Sequence, residues 1–200
     1  SKKKYSDALD DFNNYIKSNP DSWEASHNRG LSKEYLGDYL GAIEDYSKAI
    51  EIFPNNEHAY YWRGMAKFVL FDYKSSILDY SKAIELNPNN FKYFDSRGRA
   101  KYFIRDLDES VDDFSKAIEL NPQDGSLFYR RGLTKALNND FDSAIKDYSK
   151  AIELDPKDYE SYYWRGLAKF NLDDFESSII DFTRAVKINP EDYDSYHYRA

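Results

Sequence analysis

Between Tyr39 and Ile52 the apolar residues fall at helical spacing. Tyr39, Ala42, Ile43, Tyr46, Ala49, Ile50 and Ile52 line one face of a 3.6-residue period. The stretch closes at Pro54, which has no amide hydrogen and holds the residue before it out of the helical region. The same arrangement returns along the whole chain. Pro20, Pro54, Pro88, Pro122, Pro156 and Pro190 are the only prolines, and each lies 34 residues after the last. A period of this size predicts small units that bury their apolar faces only against neighbours.

Each unit reads as two helices. Asn56, Asn90, Asp124, Asp158 and Asp192, with Ser22, stand where a first helix begins, and their side chains suit an N-cap. Asp38, Asp72, Asp106, Asp140 and Asp174 do the same for a second helix, and Glu109 after Asp106 predicts a capping box. Small residues keep the beat as well. Gly30, Gly64, Gly98, Gly132 and Gly166 lie inside the first helices, where glycine costs about 1 kcal/mol relative to alanine. A cost repeated in this way predicts close helix contact against Tyr46, Tyr80, Phe114, Tyr148 and Phe182. The expected organisation is a single array over residues 1–200. It comprises a second helix of a partial repeat (1–22), full repeats at 23–56, 57–90, 91–124, 125–158 and 159–192, and the start of a further one at 193–200.

Composition narrows the function. The net charge of −8 works against nucleic-acid binding, which relies on a basic face, and against docking on anionic membranes. The sequence has no cysteine, so it offers no disulfide or thiolate metal site; that fits a reducing compartment such as the cytoplasm. No signal peptide or transmembrane run is visible, and the chain, which opens on Ser1 rather than Met, reads as an excerpt or processed product. The scattered His27, His58 and His197 suggest no metal cluster, and no phosphate loop or dinucleotide glycine motif occurs. No enzyme activity, catalytic residue, metal or cofactor is expected.

These features resemble the tetratricopeptide repeat family, in its bacterial-type Arg-Gly form. Tyr60, Phe94, Phe128, Tyr162 and Tyr196 take the leading aromatic place. The glycines, the Ala/Ser-x-x-x-Tyr/Phe pairs such as Ala42 with Tyr46, and the prolines match the family pattern over essentially the whole chain. The resemblance implies an all-α, right-handed superhelical solenoid of antiparallel helix–turn–helix repeats. It also implies a non-catalytic scaffold that takes a protein or peptide segment in a groove lined by the first helices.

Two departures recur. Arginine replaces the usual leucine at Arg29, Arg63, Arg97, Arg131 and Arg165, and lysine replaces the usual tyrosine at Lys33, Lys67, Lys101, Lys135 and Lys169. The arginines are expected to pair with the recurring Asp45, Asp79, Asp113, Asp147 and Asp181, within a repeat or between repeats. The lysines are expected to lay their stems on apolar surface with solvated heads.

Carried over by repeat position, the groove includes Tyr61, Trp62, Met65, Lys92, Arg99, Tyr102, Tyr129, Arg130, Tyr163 and Trp164. There the units differ from one another, and Tyr, Trp and Arg are the types that dominate interface hot spots. The family's clamp for chaperone carboxylate tails needs two Lys, two Asn and an Arg. In the first register those places hold His27, Leu31, Trp62, Lys92 and Ser96, and none of the three registers reproduces the clamp, so that partner is not expected. The unidentified partner is instead read as a segment with apolar or aromatic side chains. The alternatives are end-to-end self-association of the repeats, and RNA binding as in related helical-repeat families.

Overall fold

The computed structural model describes residues 2–199, which form twelve α-helices and no strand. They fall into two compact units, Ser1–Ile104 and Arg105–Ala200. In the first unit lie α1 (Lys2–Ser18), α2 (Trp23–Leu36), α3 (Tyr39–Ile52), α4 (Glu57–Val69), α5 (Tyr73–Leu86) and α6 (Phe91–Phe103). In the second lie α7 (Leu107–Leu120), α8 (Gly125–Leu137), α9 (Phe141–Leu154), α10 (Tyr159–Phe170), α11 (Phe175–Ile188) and α12 (Tyr193–Arg199). Within each unit every helix packs on the next, and the first helices of neighbouring repeats also touch (α2 on α4, α4 on α6, α8 on α10). This is an all-α helical-repeat solenoid.

Side chains at both kinds of turn hold the helix ends. Ser22 and Asn56 accept from the amides of Ala25 and Ala59, and Asp38, Asp72, Asp140 and Asp174 accept from those of Gly41, Ser75, Ser143 and Ser177. Asp106 departs from this set: its side chain makes no cap hydrogen bond, so the Asp106 half of the predicted capping box is not formed. Between the two helices of a repeat the chain turns through one left-handed residue. Gly37 takes it with φ 90°, where glycine carries no steric penalty, whereas Phe71, Arg105, Asn139 and Asp173 take it with φ of 61–67°. The amides of Asp38, Asp72, Asp140 and Asp174 then bond back to the carbonyls of Lys33, Lys67, Lys135 and Lys169.

Each full repeat buries one ring of its second helix, and the rings of Tyr46, Tyr80, Tyr148 and Phe182 lie on a glycine of the first helix. Tyr46 and Tyr80 in the first unit, and Phe114, Tyr148 and Phe182 in the second, are buried. A methyl group on Gly64 would stand 2.7 Å from Cε1 of Tyr80, closer than carbon atoms approach. The same holds at Gly30 against Tyr46 and Gly132 against Tyr148, both at 2.8 Å. The helical cost of glycine is thus offset by a ring that could not otherwise enter.

Candidate protein-binding face

The recurring charges are committed to one another. Arg29, Arg63, Arg131 and Arg165 each bond side-on to the aspartate sixteen residues later (Asp45, Asp79, Asp147, Asp181), through Nε at 2.9–3.0 Å and Nη2 at 2.5–2.6 Å. These pairs lie within a repeat. The third nitrogen reaches backwards: Nη1 of Arg63, Arg97, Arg131 and Arg165 donates to Ser47, Ser81, Ser115 and Ser149 of the preceding repeat at 3.0–3.1 Å, and that of Arg29 to Asn13.

The lysines behave otherwise than expected. Lys33, Lys67, Lys135 and Lys169 place Nζ 2.6–3.0 Å from the same aspartates, with side chains only 18–20% accessible. Each lysine stands one helical turn after its arginine, so the two point the same way and meet one buried carboxylate. A carboxylate taken out of water attracts a second cation when one is within reach. The leading aromatics complete the rung, with the guanidinium carbon of Arg63, Arg97, Arg131 and Arg165 5.5–5.8 Å from the ring centres of Tyr60, Phe94, Phe128 and Tyr162.

Residues that depart from the period occupy another face of the first helices. In the first unit, Trp62 packs with Leu31 and Tyr39 on the Ala42, Tyr46 and Ala66 core, and it remains half-buried. Tyr61 stands edge-on to Trp62 at 5.3 Å and packs on Tyr80 and Tyr93; burial pushes its phenol up. Met65 accepts from Ser96 Oγ at 3.9 Å, and the Arg99 guanidinium lies 5.1 Å from the Phe68 ring centre. Tyr102 stands edge-on to Phe103, which stacks on Tyr73. Lys92 is exposed in the first turn of α6. Beside them, burial lowers His27 to about 4, and its Nδ1 has no hydrogen-bond partner among the described residues.

In the second unit, Trp164 packs on Ala144, Tyr148 and Ala168 as Trp62 packs on its core. Tyr163 touches Trp164, Phe182 and Tyr198, and its phenol is pushed up to about 12, chiefly by burial. Tyr129 lies 6.2 Å from Tyr148, and Arg130 donates to Ser126 Oγ at 3.0 Å. Gly125 takes the place that Trp23, Phe91 and Tyr159 fill in other repeats. A hollow of about 640 Å³ opens there, lined by Tyr129, Arg130, Asp124, Asp155, Asp158 and Glu160.

One residue of the face was not anticipated. Glu34 on α2 stands where the later repeats carry Phe68, Tyr102, Ala136 and Phe170, and its departure from that apolar series was visible in the sequence. It accepts from Tyr46 Oη at 2.8 Å, and burial raises its carboxyl. Among the described residues no group of three or more His, Cys, Asp or Glu side chains is placed to hold a metal ion, and no helix is long and apolar enough to cross a membrane.

Tetratricopeptide repeat models match residues 58–90, 92–124 and 159–192, and a TPR repeat model matches 35–68 and 136–173. The chain belongs to the tetratricopeptide repeat family. Solved structures of tetratricopeptide proteins share its fold. YrrB, described as a TPR protein with an unusual peptide-binding site, is 22% identical over 93% of this chain and 96% of its own, with a TM-score of 0.82. MamA is 25% identical over 81% of this chain and 95% of its own (TM-score 0.79). A MamA segment from Desulfovibrio magneticus RS-1 is 19% identical over 86% and 97% (TM-score 0.81). Among curated proteins, no sequence matches significantly. The tetratricopeptide fold suggests a protein–protein interaction scaffold with protein partners, and proteins built from this repeat are generally non-catalytic.

Proposed function

We propose that the first helices of each unit carry a face for a protein or peptide segment: α2, α4 and α6 in the first unit, α8 and α10 in the second. One observation carries this reading. Trp62 and Trp164 break the repeat period, are each fixed by packing on a buried core, and are still only half-buried. Rings held in place lose little conformational freedom on binding, which is why such residues anchor interfaces. Tyr61, Met65, Arg99 and Tyr102 extend the anchor in the first unit, and Tyr129, Arg130 and Tyr163 in the second; Lys92 adds an exposed charge. The rung residues are already paired, which leaves the departures from the period as the surface able to distinguish one partner from another. YrrB, with its peptide-binding site, adds support on the level of the fold.

The test is capture of the native partner by purified protein. Tyr102→Ala with Arg99→Ala in the first unit, and Arg130→Ala with Trp164→Ala in the second, should each reduce capture while thermal melts stay cooperative. Undiminished capture by both double variants would place the interface elsewhere.

A further inference from the structure

Leu31, Glu34 and Tyr35 at the end of α2, Tyr39 at the start of α3, and Trp62 on α4 enclose a hollow of about 310 Å³. Its walls are three aromatic rings and a leucine, and the carboxylate of Glu34 is the acidic group among them. Three of the walls pack on the core, and the fourth, Tyr35, is an exposed ring with a stacking partner. Trp62, Tyr39 and Leu31 pack on the Ala42, Tyr46 and Ala66 core, and Tyr35 is stacked at 4.1 Å and 11° on Tyr5 of α1. Among the described residues, no lysine or arginine pairs with Glu34. That sets it apart from Asp45 on the neighbouring helix, which holds both Arg29 and Lys33.

A half-buried carboxylate among aromatic faces is complementary to a cation, because the ring faces and the carboxylate attract the same charge. The geometry also distinguishes between cations. Tyr46 Oη already donates to Oε2 of Glu34 at 2.8 Å, which leaves Oε1 as the free oxygen. A guanidinium fork binds best to two open oxygens, whereas an ammonium needs one strong acceptor and ring faces for its methylene groups. Resting on the binding face proposed above, we infer that this hollow receives a lysine side chain of the bound segment, its ammonium on Glu34 and its stem between Tyr39 and Trp62.

The chain contains its own control. In the second unit Leu133, Phe141 and Trp164 pack in the places of Leu31, Tyr39 and Trp62, on a core of Ala144, Tyr148 and Ala168. Ala136 stands in the place of Glu34. The apolar walls are repeated and the charge is not.

The test follows the indole N–H resonances of Trp62 and Trp164 in labelled protein while Nα-acetyl-lysine N-methylamide is added. Trp62 should shift saturably and Trp164 should not. The uncharged norleucine analogue should move neither, and the arginine analogue should bind more weakly than lysine. Glu34→Gln keeps the acceptor for Tyr46 and should weaken the lysine compound about tenfold. Ala136→Glu should give Trp164 a response of its own. Equal binding of norleucine, unchanged affinity in Glu34→Gln, or a silent Trp62 would each overturn the assignment. A silent Trp62 alongside loss of partner capture in the Tyr102 and Trp164 variants would remove the lysine hollow and leave the binding face standing.

Discussion

Arg63 and Asp79 meet side-on, Nε and Nη2 of the guanidinium reaching the two carboxylate oxygens at 3.0 and 2.6 Å. Lys67 Nζ lies 2.7 Å from the same carboxylate, whose side chain is only 5% exposed. Removing the anion strands two cations in a largely dry site. Asp79→Asn should therefore lower unfolding stability by about 3 kcal/mol, while Ser47→Ala, which removes one hydrogen bond to Arg63, should cost about 1 kcal/mol. Urea midpoints at matched slope decide this, and equal effects of the two variants would contradict it.

Gly64→Ala should destabilise by about 1–3 kcal/mol although alanine is the better helix former. The added methyl would sit 2.7 and 2.9 Å from two ring carbons of Tyr80. Trimming that ring in Gly64→Ala/Tyr80→Leu should make the alanine less costly than it is against tyrosine. A double-mutant cycle of thermal melts measures the coupling, and purely additive changes would argue against contact.

Phe71 holds φ of 62° and is 78% exposed, a backbone conformation unfavourable for a bulky side chain. Asparagine suits it better, as Asn139 does at the equivalent turn. Phe71→Asn should raise stability by about 0.5–1 kcal/mol, read as a higher melting temperature.

His27 gives the fold a response to acid. Its folded pKa is lowered to about 4 from an ordinary 6.5, chiefly by burial, with His58 adding to it. Between those values the unfolded chain binds the extra proton, so stability rises with pH there. This contribution is intact above pH 6.5 and is lost as the pH falls toward 4, amounting to about 2 kcal/mol for a group with some solvent access. In His27→Phe, denaturation midpoints should fall less steeply across this window.

Most of the fold was legible because the repeat states each contact several times over. Gly64 recurs with Tyr80 as Gly30 does with Tyr46, and Arg63 recurs with Asp79 as Arg29 does with Asp45. What escaped depends on where flexible side chains end. Lys67 has a stem long enough for solvent or for Asp79, and only the helix face it shares with Arg63 decides between them. Ser47 recurs as Ser81, Ser115 and Ser149, yet a serine two residues beyond Asp45 gives no sign that an arginine of the next repeat will reach it. Asp106 has the sequence of a cap and makes no cap bond. Glu34 is the converse case: a single break in an apolar series, which gains meaning once Tyr39 and Trp62 are seen around it.

The backward reach of each arginine gives the array a direction. A repeat's guanidinium finds all its partners only when the repeat before it is already in place, since Ser47 awaits Arg63 and Ser115 awaits Arg131. Synthesis runs the same way. When Arg63, Arg97, Arg131 or Arg165 leaves the ribosome, the serine it will reach has already been made, so these contacts point toward the end of the chain that is synthesised first.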